Sequence, residues 1–223
     1  MIAPKICRFM WFTLVELLVV VSVICILMGL LLPSLAKSKT KAQITKCQDN
    51  LSQIHKLMTS YTVSWNSMYP PAVNQRDWGN EDGWMNLIAD GQDIRKSYVC
   101  PTEKPGILAS YSLNCRELYI KIYLLTGKYP SWHDADFAKS TTGPSKILLV
   151  YETNYNSYRS VEYDKDNYSQ DDLAFSTDEQ HWAPNHGNRM PILYADGHSN
   201  APDKFDTGSM TYFTDAMSTW YEL

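Results

Sequence analysis

The sequence predicts an α+β fold in which one long N-terminal helix lies across a small antiparallel sheet. Three observations carry this reading. An unbroken apolar run occupies 12–32, an apolar stripe with 3/4 spacing follows it at 44–65, and two segments, 146–151 and 190–200, supply the strands of the second half.

The first run, Phe12 to Leu32, is 21 residues long, and at about 1.5 Å per helical residue it reaches roughly 32 Å, the thickness of a bilayer's hydrocarbon core. Its 15 Leu, Ile, Val and Phe side chains outweigh the cost of the one acidic residue inside it, Glu16. An ionisable group in such a span is a functional candidate that needs a named partner. Pro33 removes one helical hydrogen bond and can kink a helix without ending it. Beyond it Ile44, Cys47, Leu51, Ile54, Met58, Tyr61 and Trp65 fall on one helical face, with Lys46, Asp49, Gln53 and Lys56 between them. The chain therefore reads as a leader at 1–11, a transmembrane helical segment at 12–33, an amphipathic continuation at 34–66 and a globular domain at 67–223.

Tyr69-Pro70-Pro71 ends the helix. Trp84 to Ala89 reads as a short helix and Ser110 to Asn114 as an extended segment. Pro144 to Glu152 is the best strand candidate, and its continuous apolar character predicts a central strand covered by the long helix. Tyr151 to Gln180, dominated by Tyr, Asp, Asn and Ser, reads as a loop. Met190 to Ala195 can form a strand that turns at Asp196-Gly197, where glycine supplies positive φ without steric cost.

The 223 residues carry a formal charge of −4, which becomes −6 if Lys5 and Arg8 are lost with the first eleven residues. Such an acidic body argues against a nucleic-acid partner, since phosphate binding needs clustered Lys and Arg. With Cys7 in the leader and Cys25 in the span, Cys47, Cys100 and Cys115 remain, an odd number compatible with one disulfide and one free thiol. Cys47 with Cys100 is the candidate pair in an oxidising compartment. The 15 Tyr and 7 Trp supply large rigid groups for a core, and if exposed could stack on sugars.

A basic leader, then Phe12-Thr13-Leu14-x-Glu16, then a long apolar helix resembles the type IV prepilin family, which includes pilins and the pseudopilins of type II secretion. Several further stretches resemble a pseudopilin-like group within it: Cys47-x-x-Asn50-Leu51-x-Gln53, Cys100-Pro101, Ser110-Tyr111-x-x-Asn114, and the C-terminal His-x9-Asp-Gly element formed by His186, Asp196 and Gly197, while Tyr69-Pro70 resembles the Tyr-Pro that follows the first helix in major pseudopilins of type II secretion. The resemblance implies a pilin-like fold and cleavage by prepilin peptidase between Trp11 and Phe12, with Phe12 then N-methylated. Trp11 stands where the family usually has Gly. It also implies that Glu16 pairs with the amino terminus of a neighbouring copy, or of another pilin-like subunit, in a type II secretion pseudopilus or type IV pilus-like filament. The precursor would sit in the inner membrane as a single-pass protein with its globular domain periplasmic. Charge counting does not orient it, because Lys5 and Arg8 are answered by Lys37, Lys39, Lys41 and Lys46 on the other flank.

No activated nucleophile with a base and orienting acid is evident, so an enzyme is not expected. No cofactor is required, although calcium fits the hard oxygen ligands crowded at Asp164, Asp166, Asp171, Asp172 and Asp178. The residue types of His186, Asp196 and His198 would also suit zinc, without sequence proximity showing convergence. The alternative of a different class is an uncleaved, membrane-anchored extracytoplasmic module that binds a glycan or other ligand through its aromatic, acidic face.

Overall fold

The computed structural model describes residues 13–70, 84–89, 91–92, 94–102, 110–114, 131–152, 169–170, 186–204, 206 and 208–210. Two compact units are present, Met1–Lys41 and Ala42–Leu223. Helix α1, Leu14–Ser64, contributes to both, with Pro33 inside it.

In the first unit α1 presents its apolar side chains on every side, Leu14 at 79% and Leu30 at 73% exposure among them. Among the described residues it is the helix long and apolar enough to cross a membrane. Its start is a reciprocal cap. Thr13 Oγ1 accepts from the Glu16 amide at 3.2 Å, and Glu16 Oε2 accepts from the Thr13 amide and hydroxyl, each at 2.9 Å. This Thr-x-x-Glu capping box satisfies amides that a helix N-terminus otherwise leaves unpaired.

In the second unit α1 buries Cys47, Asn50, Leu51, Ile54, Met58 and Thr62. That is the predicted stripe, shifted at its C-terminal end: Thr62 turns inward, while Trp65 is 60% exposed and stacks on Tyr61 with ring centroids 5.4 Å apart. The helix closes because Asn66 and Ser67 adopt positive φ, 53° and 63°, and the Ser67 amide donates to Thr62 O at 2.8 Å. The Tyr69 amide then donates to Trp132 O at 2.7 Å, so the chain leaves the helix directly into the core.

The short helix α2, Trp84–Ala89, and a 3-10 turn, Arg95–Tyr98, follow. Next come β1 (Tyr111–Asn114), α3 (Asp134–Lys139), β2 (Leu148–Glu152), β3 (Ser169–Gln170), β4 (Ile192–Tyr194) and β5 (Ser199–Asn200). The strand order is β3-β1-β2-β4-β5. β2 is central and antiparallel to both β1 and β4, and β4 makes a hairpin with β5. The fold class is thus α+β, with one correction. β3 arises within the stretch expected to be all loop, and it pairs parallel with β1, Leu113 opposite Ser169, so the sheet is mixed rather than wholly antiparallel. α3, only six residues long, has no apolar period to mark it. Its signal is His133, whose Nδ1 accepts from the Ala135 amide at 3.0 Å while Asp136 caps the His133 amide at 2.8 Å.

β2 is buried at every position, which accounts for its unbroken apolar run. Leu149 and Val150 belong to the cluster that contains Leu51, Ile54 and Met58 of α1, whereas Leu148 and Tyr151 belong to a second cluster with Met190, Ile192 and Tyr194. An irregularity in register between Leu148 and Val150 lets neighbouring residues join the same cluster. Leu51→Ala should therefore cost about 2–5 kcal/mol of stability, and Trp65→Ala less than about 1 kcal/mol, although both positions belong to one sequence stripe. Denaturant unfolding of the full chain in detergent, followed by tryptophan fluorescence with circular dichroism as a second probe, measures the difference.

Candidate metal centre

Four buried side chains from four segments converge in the second unit. Cys47 lies on the inward face of α1, Cys100 follows the 3-10 turn, Glu152 ends β2, and His186 opens the turn before β4. Each is no more than 3% exposed, and their ligand atoms all lie within 4.8 Å of one another. His186 Nε2 is 3.2 Å from Cys47 Sγ, 3.2 Å from Cys100 Sγ and 3.3 Å from Glu152 Oε1. The sulfurs are 3.4 Å apart, and Cys47 Sγ is 3.9 Å from Glu152 Oε1.

Each position is fixed by local structure. The Cys100 amide donates to Ser110 Oγ at 3.0 Å, and the Ser110 amide donates to Tyr98 O at 2.7 Å. Asn50, one helical turn from Cys47, donates from Nδ2 to Val99 O at 3.2 Å and to the Tyr111 hydroxyl at 3.3 Å. Gln53 Oε1 accepts from Ser97 Oγ at 2.6 Å. Asn50 and Gln53 therefore hold the segment carrying Cys100 against α1, where ordinary helix packing would have left them solvated. Asn114 Nδ2 donates to Leu148 O at 2.7 Å, tying β1 to β2, and Asn114 O accepts from Trp132 Nε1 at 2.6 Å. On the opposite side the Glu152 amide donates to Pro191 O at 3.1 Å, which docks the turn carrying His186 against the end of β2.

No family model, curated protein or solved structure matches this chain. What the cluster can do therefore rests on its own chemistry. Burial alone would lower the His186 pKa, but hydrogen bonding to Cys100 and Glu152 and the charge of the carboxylate outweigh it and raise it to about 10. The Cys100 thiol is pushed well above the ordinary thiol range, first by its contact with Cys47 and then by burial. Tyr111 is raised too, chiefly by burial.

The residues singled out in the sequence divide among different places. Cys47 and Cys100, the candidate disulfide pair, are neighbours and both are free cysteines. His186 joins them rather than Asp196 and His198, which pair with each other at 2.5 Å with partly exposed side chains. Glu16 caps α1. Trp11, Phe12 and Cys115 lie outside the described residues, as do the calcium candidates Asp164, Asp166, Asp171, Asp172 and Asp178. Glu152 carried no signal of its own, because an acidic residue at the end of an apolar strand reads as the point where the strand reaches water.

The far end of the His-x9-Asp-Gly element has a separate role. Gly197 has φ +90°, and a Cβ there would collide with the His55 ring of α1. Gly197→Ala should destabilise the chain by about 2 kcal/mol or more, seen as a lower midpoint in denaturant unfolding. Burial holds the His55 imidazole below its ordinary 6.5, with Asp196 pulling weakly the other way. The unfolded chain then takes up a proton at this site before the folded one does. The stability His55 contributes is complete above about pH 6.5 and is lost as pH falls from there through its depressed folded value. His55→Gln should flatten the slope of stability against pH between about pH 7 and about pH 5, checked by thermal melts of both proteins across that range.

Proposed function

We propose that this chain is a pilin-like structural subunit. It is cut by prepilin peptidase between Trp11 and Phe12, held in the inner membrane with its body in the periplasm, and assembled into a filament of the type II secretion pseudopilus or type IV pilus kind. The observation that carries this reading is Glu16, a lone acidic side chain in the first turn of a helix whose apolar residues from Leu14 to Leu35 are uncovered all round. An apolar surface of this size needs lipid or other apolar helices to cover it. Inside either, a carboxylate needs an opposite charge.

The capping box sharpens the role of Glu16. Its hydrogen bonds to Thr13 satisfy backbone donors within one chain but neutralise no charge. The amino terminus of a neighbouring subunit, freed at Phe12, would supply that cation. Assembly would add an ion pair in a medium of low dielectric, where it is worth far more than in water. The apolar segments would then form the core of the fibre.

Glu16→Gln separates the two roles, because the amide oxygen keeps the capping acceptor and drops the charge. The variant should fractionate with membranes at the wild-type level and be depleted at least tenfold from sheared filaments. Equal incorporation of the variant would rule out charge pairing. Amino-terminal sequencing of the mature chain is expected to begin at N-methyl-Phe12. A start at Met1 would point instead to a membrane-anchored binding module.

A further inference from the structure

We propose that Cys47, Cys100, Glu152 and His186 bind one zinc ion in a closed, four-coordinate structural site. A tetrahedral ion with bonds of about 2.0–2.3 Å holds its ligand atoms roughly 3.3–3.8 Å apart. Five of the six separations in the quartet are 3.2, 3.2, 3.3, 3.4 and 3.9 Å, and the sixth is within 4.8 Å. A divalent ion at the centre needs shifts of only a few tenths of an ångström in most of these.

Hydrogen bonding does not explain the arrangement as well. His186 Nε2 carries at most one proton, yet two sulfurs and a carboxylate oxygen crowd within 3.3 Å of it, so one N–H can serve only one of them. Glu152 Oε2 has no hydrogen-bond partner among the described residues, and His186 is the basic group paired with this carboxylate. A buried carboxylate left that poorly compensated is costly, and a cation relieves it.

The donor set selects the metal. Two thiolates disfavour calcium and magnesium, a carboxylate disfavours copper(I), and a mixed sulfur, nitrogen and oxygen tetrahedron suits zinc. Two thiolates and one carboxylate around a divalent ion leave one excess negative charge. The Thr102 amide, two residues beyond Cys100, donates to its sulfur at 3.4 Å, and the Thr102 hydroxyl lies 2.8 Å from it. Such outer contacts disperse thiolate charge and orient the ligand. All four ligands are buried and come from the protein, so no position is open to substrate and the ion is a fastener between α1, the 100–102 segment, β2 and the turn at 186–189. This holds whether or not the chain enters a filament.

The test uses the full chain purified in detergent with reductant and without chelator. Elemental analysis should find one zinc per chain. Replacing it with Co²⁺ should give thiolate-to-cobalt charge-transfer absorption and the visible bands of a tetrahedral ion, abolished by added Zn²⁺. Cys100→Ser and His186→Ala should each weaken zinc binding by roughly 100-fold or more, while His198→Ala, in the exposed pair, should bind as the wild type does. A reduced chain that retains no zinc and gives no cobalt absorption overturns the proposal. So does a freshly isolated chain in which mass spectrometry finds Cys47 and Cys100 joined as a disulfide, or a His198→Ala variant that loses zinc as His186→Ala does. The cobalt spectrum of the unmodified chain decides the question even if a ligand variant fails to fold.

Discussion

The body of this protein is organised by the need to accommodate the Glu152 carboxylate at the end of its central, fully buried strand. A carboxylate there cannot reach water, so its neighbours must supply what water would have given. Those neighbours are an imidazole at 3.3 Å and a cysteine sulfur at 3.9 Å, with a second sulfur completing the group. They arrive from three other parts of the chain, so satisfying Glu152 also sets the places of α1, the 100–102 segment and the turn before β4. Asn50 and Ser110 are hydrogen-bonded beside the two cysteines that meet this point. Polar residues that look dispersed along the sequence are therefore one layer of support around a single charge.

Glu16 and Glu152 are the same side chain in two kinds of apolar surroundings, and each is handled differently. Glu16 sits at a helix N-terminus, where unpaired amides and the helix dipole favour a negative charge, and it bonds back to Thr13. Its side chain is exposed, and no opposite charge pairs with it among the described residues. Glu152 faces inward, and its partners come from within. One carboxylate closes the first turn of a helix. The other joins segments of one molecule.

Much of the fold is legible from local pattern, because helices and strands write their period into the sequence. α1, α2, β1, β2 and the β4–β5 hairpin follow from the 3/4 stripe, the apolar runs and the Asp196-Gly197 turn. β3 is only two residues long and pairs in parallel with a strand more than fifty residues earlier, so neither composition nor period marks it. The quartet is illegible for a related reason. Its members are far apart, Cys47 and His186 by 139 positions, and have none of the short spacings that betray a metal knuckle. Proximity in sequence drew His186 toward Asp196 and His198 instead, and the hairpin places those two on the surface. The individual stretches around Asn50, Cys100 and Ser110 were each visible, but their common purpose appears only when the chain is folded.

The spacing of the His-x9-Asp-Gly element then has a physical meaning. His186 meets Cys47 of α1 through Nε2, and Gly197 lies against His55 of the same helix. Cys47 and His55 are eight residues apart, about 12 Å along a helix axis. Between the two contacts the chain makes the turn at 186–189, runs through β4 beside β2 and enters the hairpin turn at Asp196. That path has to cover a fixed distance while keeping Ile192 and Tyr194 in one cluster and Leu193 in the other. Adding or removing one residue within β4 would exchange those side chains between clusters. It would also pull either the imidazole from the sulfurs or the glycine from the His55 ring. The interval between His186 and Gly197 thus spans two contact points on one helix, with its ends set by those contacts and the β4 residues between them by alternation.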